Sequence, residues 1–299
     1  MSKMALDPGE RIAPANGLEI CYQTFGEDTD PPLLLIMGLG AHMIQWDDEF
    51  CARLAARGYR VIRFDNRDVG KSSKIDARPP DLAEALLRRR PGETLAAPYL
   101  LRDMAADAIG LLDFLRIGSA HVVGASMGGM IAQEMVIHWP RRVRTLTSIM
   151  SSTGDPGLPP SDPEIFEIFL APPPRTPEEY VEANVRAWRA FGNARFPEEG
   201  PRDRSRAIRA AGRGLCPEGG ARQLLAAIGS GSRAAGLSQI EAPTLVIHGA
   251  DDPLVPLAAG QATARAIPGA RLVVIERMGH TLPMAVWPQV IDEIAAIAR

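Results

Sequence analysis

Residues 120–133 read Ala-His-Val-Val-Gly-Ala-Ser-Met-Gly-Gly-Met-Ile-Ala-Gln. The β-branched pair Val122 and Val123 leads into a tight Gly-Ala-Ser-Met-Gly turn, and a helix-forming run, residues 130–138, leaves it. Strand, turn and helix in this order are what a G-x-S-x-G nucleophile elbow requires. Such a turn bends the backbone sharply and pushes the serine hydroxyl into a pocket. Gly124 and Gly128 flank Ser126 where a side chain would meet the neighbouring strand or helix. A plainer reading is open for the same residues, because serine also suits the N-cap of a glycine-rich helix start. The rest of the chain must supply the groups that decide between a nucleophile and a cap.

Outward from the elbow, the chain alternates strand and helix patterns. Residues 10–25 alternate apolar and polar, as half-buried antiparallel strands do, around an Asn16-Gly17 hairpin turn. Residues 33–37 form a continuous apolar run of a kind buried on both faces of a parallel sheet. It ends in Gly38-Leu39-Gly40, a loop whose backbone can approach a ligand or simply make a tight strand exit. A helix is predicted over 46–57, with Phe50 and Leu54 on one face and Gly58 as its stop. Residues 59–65 form the next strand, and the polar turn 66–73 after it reads mainly as structural, with Asp65 and Arg67 bonding neighbouring loops. Gly70-Lys71-Ser72 is not a phosphate-binding loop, since no glycine lies five positions before Gly70.

A short helix is expected over 82–90, its Arg88-Arg89-Arg90 end solvated, and a stronger one over 100–115. A strand follows over 142–150. From there to about residue 239 the buried-strand pattern disappears. Prolines separate helical segments at 163–170, 177–191, 202–212 and 220–228, which reads as a helical insertion over one end of a sheet. Strands resume at 243–249 and 271–275, and a last helix spans 288–298. Strands alternating with helices in both halves predict a mostly parallel sheet with helices on both faces.

Composition bounds the partners. The 299 residues are 46% hydrophobic and 23% charged, with a net charge of −3, so neither nucleic acid nor an anionic membrane is an expected partner. Cys21, Cys51 and Cys216 are too few and too far apart for a disulfide framework or a zinc site. No signal peptide and no apolar run long enough to span a bilayer is read, and a cytoplasmic protein without metal or cofactor is expected.

Catalytic groups of open parallel sheets gather at the carboxyl ends of the strands. Of five histidines, His121 starts the elbow strand at its far end, His138 closes a helix, and His248 lies inside a strand end as a packed residue. His42 sits in the glycine loop and could line a pocket. His280 alone occupies a post-strand loop behind a glycine. Acids at the right end are Asp251 and Asp252, with Asp155 a third choice. A serine is a weak nucleophile until an imidazole takes its proton, and a carboxylate must hold that imidazole.

The blocks Ile-Met-Gly-Leu-Gly, Phe-Asp-Asn-Arg-Asp-Val-Gly-Lys-Ser, Gly-Ala-Ser-Met-Gly-Gly, His-Gly-Ala-Asp-Asp-Pro-Leu-Val-Pro and Met-Gly-His occur in that order over nearly the whole chain. Together they resemble the α/β-hydrolase superfamily, and the Met-Gly-His-x-Leu-Pro ending is similar to the aclacinomycin methylesterase group of serine esterases. The resemblance implies an α/β-hydrolase fold with a core of residues 1–150 and 240–299 and a helical cap over 151–239, inserted before the last strands. It implies Ser126 as nucleophile, His280 as base and Asp252 as its acid, since the family's acid precedes x-x-[Val/Ala]-Pro. It also implies an oxyanion hole from the amides of Leu39 and Met127, although the usual His-Gly of the first loop is Met37-Gly38 here. The expected activity is hydrolysis of a small to medium carboxylic ester through an acyl-enzyme. The same triad would serve lactone opening or C–C hydrolysis, and a receptor that keeps the pocket without catalysis is a third possibility. In the cap, Phe166, Phe169, Tyr180, Trp188 and Phe191 either roof the pocket or, for most of them, form the cap's own core.

Overall fold

The computed structural model describes residues 6–79 and 95–299. The helix expected over 82–90, with its arginine run, lies outside the described residues. Eight strands form one sheet: β1 (Glu10–Ala15), β2 (Leu18–Phe25), β3 (Pro32–Ile36), β4 (Arg60–Phe64), β5 (Ala120–Ala125), β6 (Val143–Ile149), β7 (Thr244–Gly249) and β8 (Arg271–Ile275). Their spatial order is β1-β2-β4-β3-β5-β6-β7-β8. Only the β1–β2 and β2–β4 pairs are antiparallel. The hairpin turns at Asn16 (φ 49°) and Gly17 (φ 75°), both left-handed, which matches the twist of the strands it joins.

The described helices are α1 (Asp48–Ala55), α2 (Leu101–Phe114), α3 (Met127–His138), α4 (Pro163–Leu170), α5 (Pro177–Phe191), α6 (Gly200–Gly212), α7 (Gly219–Gly229), the short α8 (Ala234–Leu237), α9 (Leu257–Ala266) and α10 (Trp287–Ile297). Helix α1 begins later than the expected 46, because Asp47 caps it by accepting the Glu49 N–H at 2.9 Å. Trp46 remains in the loop, stacked on Phe50. Helix α9 has no counterpart among the expected elements. Its run of Ala, Gly, Gln and Thr carries too few large apolar residues to show a stripe.

Alternation along the buried strands divides the core. Leu33, Leu35, Val61 and Val123 face one layer with Phe50 and Leu54 of α1 and Trp287, Val290 and Ile294 of α10. Leu34, Ile36, Ile62 and Val122 face the other with Met104, Leu111 and Leu112 of α2 and Ile131 and Met135 of α3. Burying each such side chain contributes about 1.5–3 kcal/mol, so the central strands β3 and β5, covered on both faces, form the rigid floor of the site. Helices α4–α8 all lie between β6 and β7 in the chain. No helix among the described residues is long and apolar enough to cross a membrane.

Candidate active site

Ser126 directly follows β5 and stands at the N-cap position of α3, with φ 55° and ψ −123°, yet its side chain makes no capping bond. A left-handed φ at a residue with a Cβ costs on the order of 1–3 kcal/mol and must be held by its surroundings. The Ser126 N–H donates to the Ile149 carbonyl at 2.9 Å, and the Ser151 hydroxyl donates to the Ser126 carbonyl at 2.8 Å. The glycines make the bend possible: a Cβ on Gly124 would strike the Gly128 carbonyl, and one on Gly128 the Ile36 carbonyl.

Instead of capping, the Ser126 Oγ lies 2.8 Å from His280 Nε2. The opposite ring nitrogen, Nδ1, lies 2.8 Å from Asp252 Oδ2. A carboxylate only accepts, so Nδ1 carries the proton and Nε2 is left to accept from the serine hydroxyl. The other carboxylate oxygen, Asp252 Oδ1, accepts the N–H groups of Leu254 (3.0 Å) and Val255 (2.8 Å). Ser126, Asp252 and His280 come from the loops after β5, β7 and β8, brought to one end of the sheet by parallel strands.

The rival acids are placed elsewhere. Asp251 is exposed and pairs with Arg195 at 3.0 Å. Asp155 is an exposed turn residue whose carboxylate accepts from Gly157 N–H at 2.8 Å.

Two groups brace the relay: His248, expected only as a packed residue, and one whose role carries no sequence signal. His248 is fully buried, its Nε2 donating to the Val255 carbonyl at 2.7 Å and lying 3.6 Å from Asp252 Oδ2. Burial lowers its pKa, so it stays neutral and braces the turn that holds Asp252. The second is Phe191, last residue of α5, whose carbonyl accepts the His280 N–H at 2.6 Å. A Met-Gly-His pattern signals the histidine but says nothing of what holds its backbone.

Leu39 lines the same chamber as Ser126, and Met127 follows Ser126 in the chain. Met127 opens α3, where first-turn N–H groups have no intrahelical partner and the helix dipole favours negative charge. Leu39 sits between Gly38, whose Cβ would be 3.1 Å from Ser126 Cβ, and Gly40 at φ 64°. Asp65 and Arg67 act structurally: Arg67 grips Asp107 through Nε (2.6 Å) and Nη2 (2.7 Å), and Asp65 accepts the Met43 N–H at 2.8 Å.

Two cavities adjoin one another, and Ser126 lines the smaller of them. A chamber of about 150 Å³ is lined by Met37, Leu39, Ser126, Met150, Trp188, Phe191, His280 and their neighbours. A larger one, about 610 Å³, lies between the glycine loop and helices α5 and α7 and shares Leu39, Ala41, Gln45, Trp188 and Phe191 with the first. Tyr180, Trp188 and Phe191 therefore line cavity walls rather than only a core of their own. Tyr180 and Trp188 do both, packing also beside Val181, Ala207 and Ala211. His42, expected as a possible lining residue, is buried against Tyr180 instead, ring centroids 6.0 Å apart. Cys21 and Cys51 are buried free thiols, and Cys216 lines the larger cavity. Among the described residues no group of three His, Cys, Asp or Glu side chains is placed to hold a metal.

A family model described as alpha/beta hydrolase fold matches residues 31–284. The rhodomycin D methylesterase DnrP of Streptomyces peucetius is 33% identical over 293 residues, covering 92% of this chain and 93% of that protein. The rhodomycin D methylesterase DauP of Streptomyces sp. (strain C5) is 34% identical over 308 residues, covering 97% and 98%. Among solved structures, the esterase RhEst1 from Rhodococcus sp. ECU1013 superposes with a TM-score of 0.73 at 19% identity, covering 97% of this chain and 99% of that one, a likeness of fold.

Proposed function

The chain belongs to the α/β-hydrolase fold family, and from that membership we propose that it is a serine carboxylic-ester hydrolase with Ser126 as nucleophile, His280 as general base and Asp252 as its orienting acid. One observation carries the reading: the Ser126–His280–Asp252 relay, 2.8 Å at each link, with each proton position dictated by its partner. In acylation, Ser126 Oγ bonds to the ester carbonyl carbon as its proton passes to His280 Nε2. The tetrahedral oxyanion is held by the Leu39 and Met127 amides, each worth on the order of 10²-fold or more. The C–O bond to the alcohol breaks, and the alkoxide leaves with the proton from His280. Water then attacks the acyl-enzyme, giving its proton to His280, which returns it to Ser126 Oγ as the acid departs. The scheme uses only protein groups and water.

Residues 151–239 form the cap in this reading, and the substrate lies beneath it. The unequal cavities suit an ester with one bulky apolar end and one small end. A methyl-sized alcohol agrees with the relatives, which are named methylesterases. Three free cysteines suit a cytoplasmic setting.

Ser126→Ala tests the assignment. We expect it to fold as the parent does, to lose turnover of p-nitrophenyl esters, and to lose labelling by a fluorophosphonate probe. Retained turnover would sink the assignment of Ser126. A panel of methyl, butyl and lactone substrates then ranks the ester reading against lactone opening.

A further inference from the structure

We propose that Gln223, on α7, is a positioning residue for oxyanion stabilisation, an inference that rests on the ester-hydrolase reading above. Its side chain is fully buried and bonded at both ends. Oε1 accepts the Gly40 N–H at 2.7 Å, and Nε2 donates to the Arg67 carbonyl at 2.8 Å. Only one orientation of the amide satisfies a donor on one side and an acceptor on the other. The Arg67 end is itself anchored by the Asp107 carboxylate.

The consequence lies in which peptide planes are held. The loop carries glycines on both sides of Leu39, so its backbone is intrinsically soft. Asn66 Nδ2 donates to the Met37 carbonyl at 2.8 Å and pins the plane between residues 37 and 38. Gln223 pins the plane between residues 39 and 40. The plane between them carries the Leu39 N–H, the amide assigned to the oxyanion. Asn66 belongs to the loop after β4, whereas Gln223 reaches in from the helical segment between β6 and β7. Next to it, Arg222 grips Asp68 through two bonds of 2.9 Å and seats α7 on the same turn. Donors aimed at a developing charge lose their effect when displaced by about half an ångström, so loss of one pin should act on the transition state and not on substrate binding.

The test is Gln223→Met, similar in size but unable to bond to either partner. For p-nitrophenyl butyrate we expect kcat to fall about 10- to 100-fold with KM within about twofold. Affinity for an alkylboronic acid, which mimics the tetrahedral oxyanion, should fall in parallel. Amide hydrogen exchange in peptides covering residues 37–45 should quicken. Should Gln223→Met fail to fold, Gln223→Asn, too short to reach both partners, takes its place with the same expectations. A folded variant with parental kcat and boronate affinity overturns the proposal, and so does a loss confined to KM or to thermal stability. If the parent protein hydrolyses no ester and Ser126 resists fluorophosphonate, the underlying reading fails, and this inference with it.

Discussion

The His280 N–H donates to the carbonyl of Phe191 at 2.6 Å, and the Phe191 ring stands edge-on to the imidazole, 6.1 Å between centroids at 88°. The C-terminus of α5 thus forms part of the mount of the proposed base. The close approach depends on glycine, because a Cβ on Gly279 would collide with the Phe191 carbonyl.

Gly279→Ala should therefore push α5 away from the imidazole. We expect a loss of about 1–3 kcal/mol in stability from overpacking and a kcat reduced about 10- to 100-fold by misplacement of the base. Denaturant melts and steady-state kinetics measure the two separately. Parental kcat in this variant would mean that the imidazole is held by Asp252 alone.

The two neighbouring aspartates should behave differently. Asp252→Asn leaves an acceptor for the Leu254 and Val255 amides but lets the wrong imidazole tautomer form, so kcat should fall about 10⁴-fold. Asp251→Asn removes only an exposed pair with Arg195 and should stay within about twofold. Comparable losses in both would contradict the assignment.

Ser126→Gly should relieve the left-handed strain at φ 55°. Against that gain stands the greater entropy of an unfolded glycine, about 0.5–1 kcal/mol. The expected result is an inactive protein that melts at or above the parent temperature, read by calorimetry. A clear drop in melting temperature would show that the elbow holds no net strain.

Acid should loosen the fold through buried imidazoles. Burial lowers His42 from 6.5 to about 3, with Lys74 adding to the effect, and lowers His121 to about 4. Depressed histidines are neutral when folded, whereas the unfolded chain takes up their protons below pH 6.5. Stability is therefore fully present above that pH and is lost as pH falls from 6.5 towards 3. For His42 the slope approaches about 1.4 kcal/mol per pH unit. Urea midpoints between pH 7 and pH 4 should fall less steeply in His42→Asn than in the parent. Equal slopes would rule His42 out as a contributor.

Most of the fold was legible in the chain because its signals are local. A period of two marks β1 and β2, unbroken apolar runs mark β3 and β7, and glycines flag the bend at Ser126. Proline spacing separates α4 from α5, and their ends fall where expected. Boundaries moved where a cap decided them, as Asp47 does for α1, and α9 escaped notice because small residues carry no stripe.

The candidate site was legible only as residue types in order. Sequence by itself named Ser126 and His280 and left Asp251 and Asp252 competing, with Asp155 a third choice, and only the resemblance to a family selected Asp252. Tertiary structure turned Asp252 inward and Asp251 and Asp155 outward. It alone brought Gln223 to Gly40, across 183 residues, and Phe191 to His280. Helix and strand follow from contacts a few residues apart, while these bonds exist only after the sheet and the helices between β6 and β7 have packed together. No periodicity announces them.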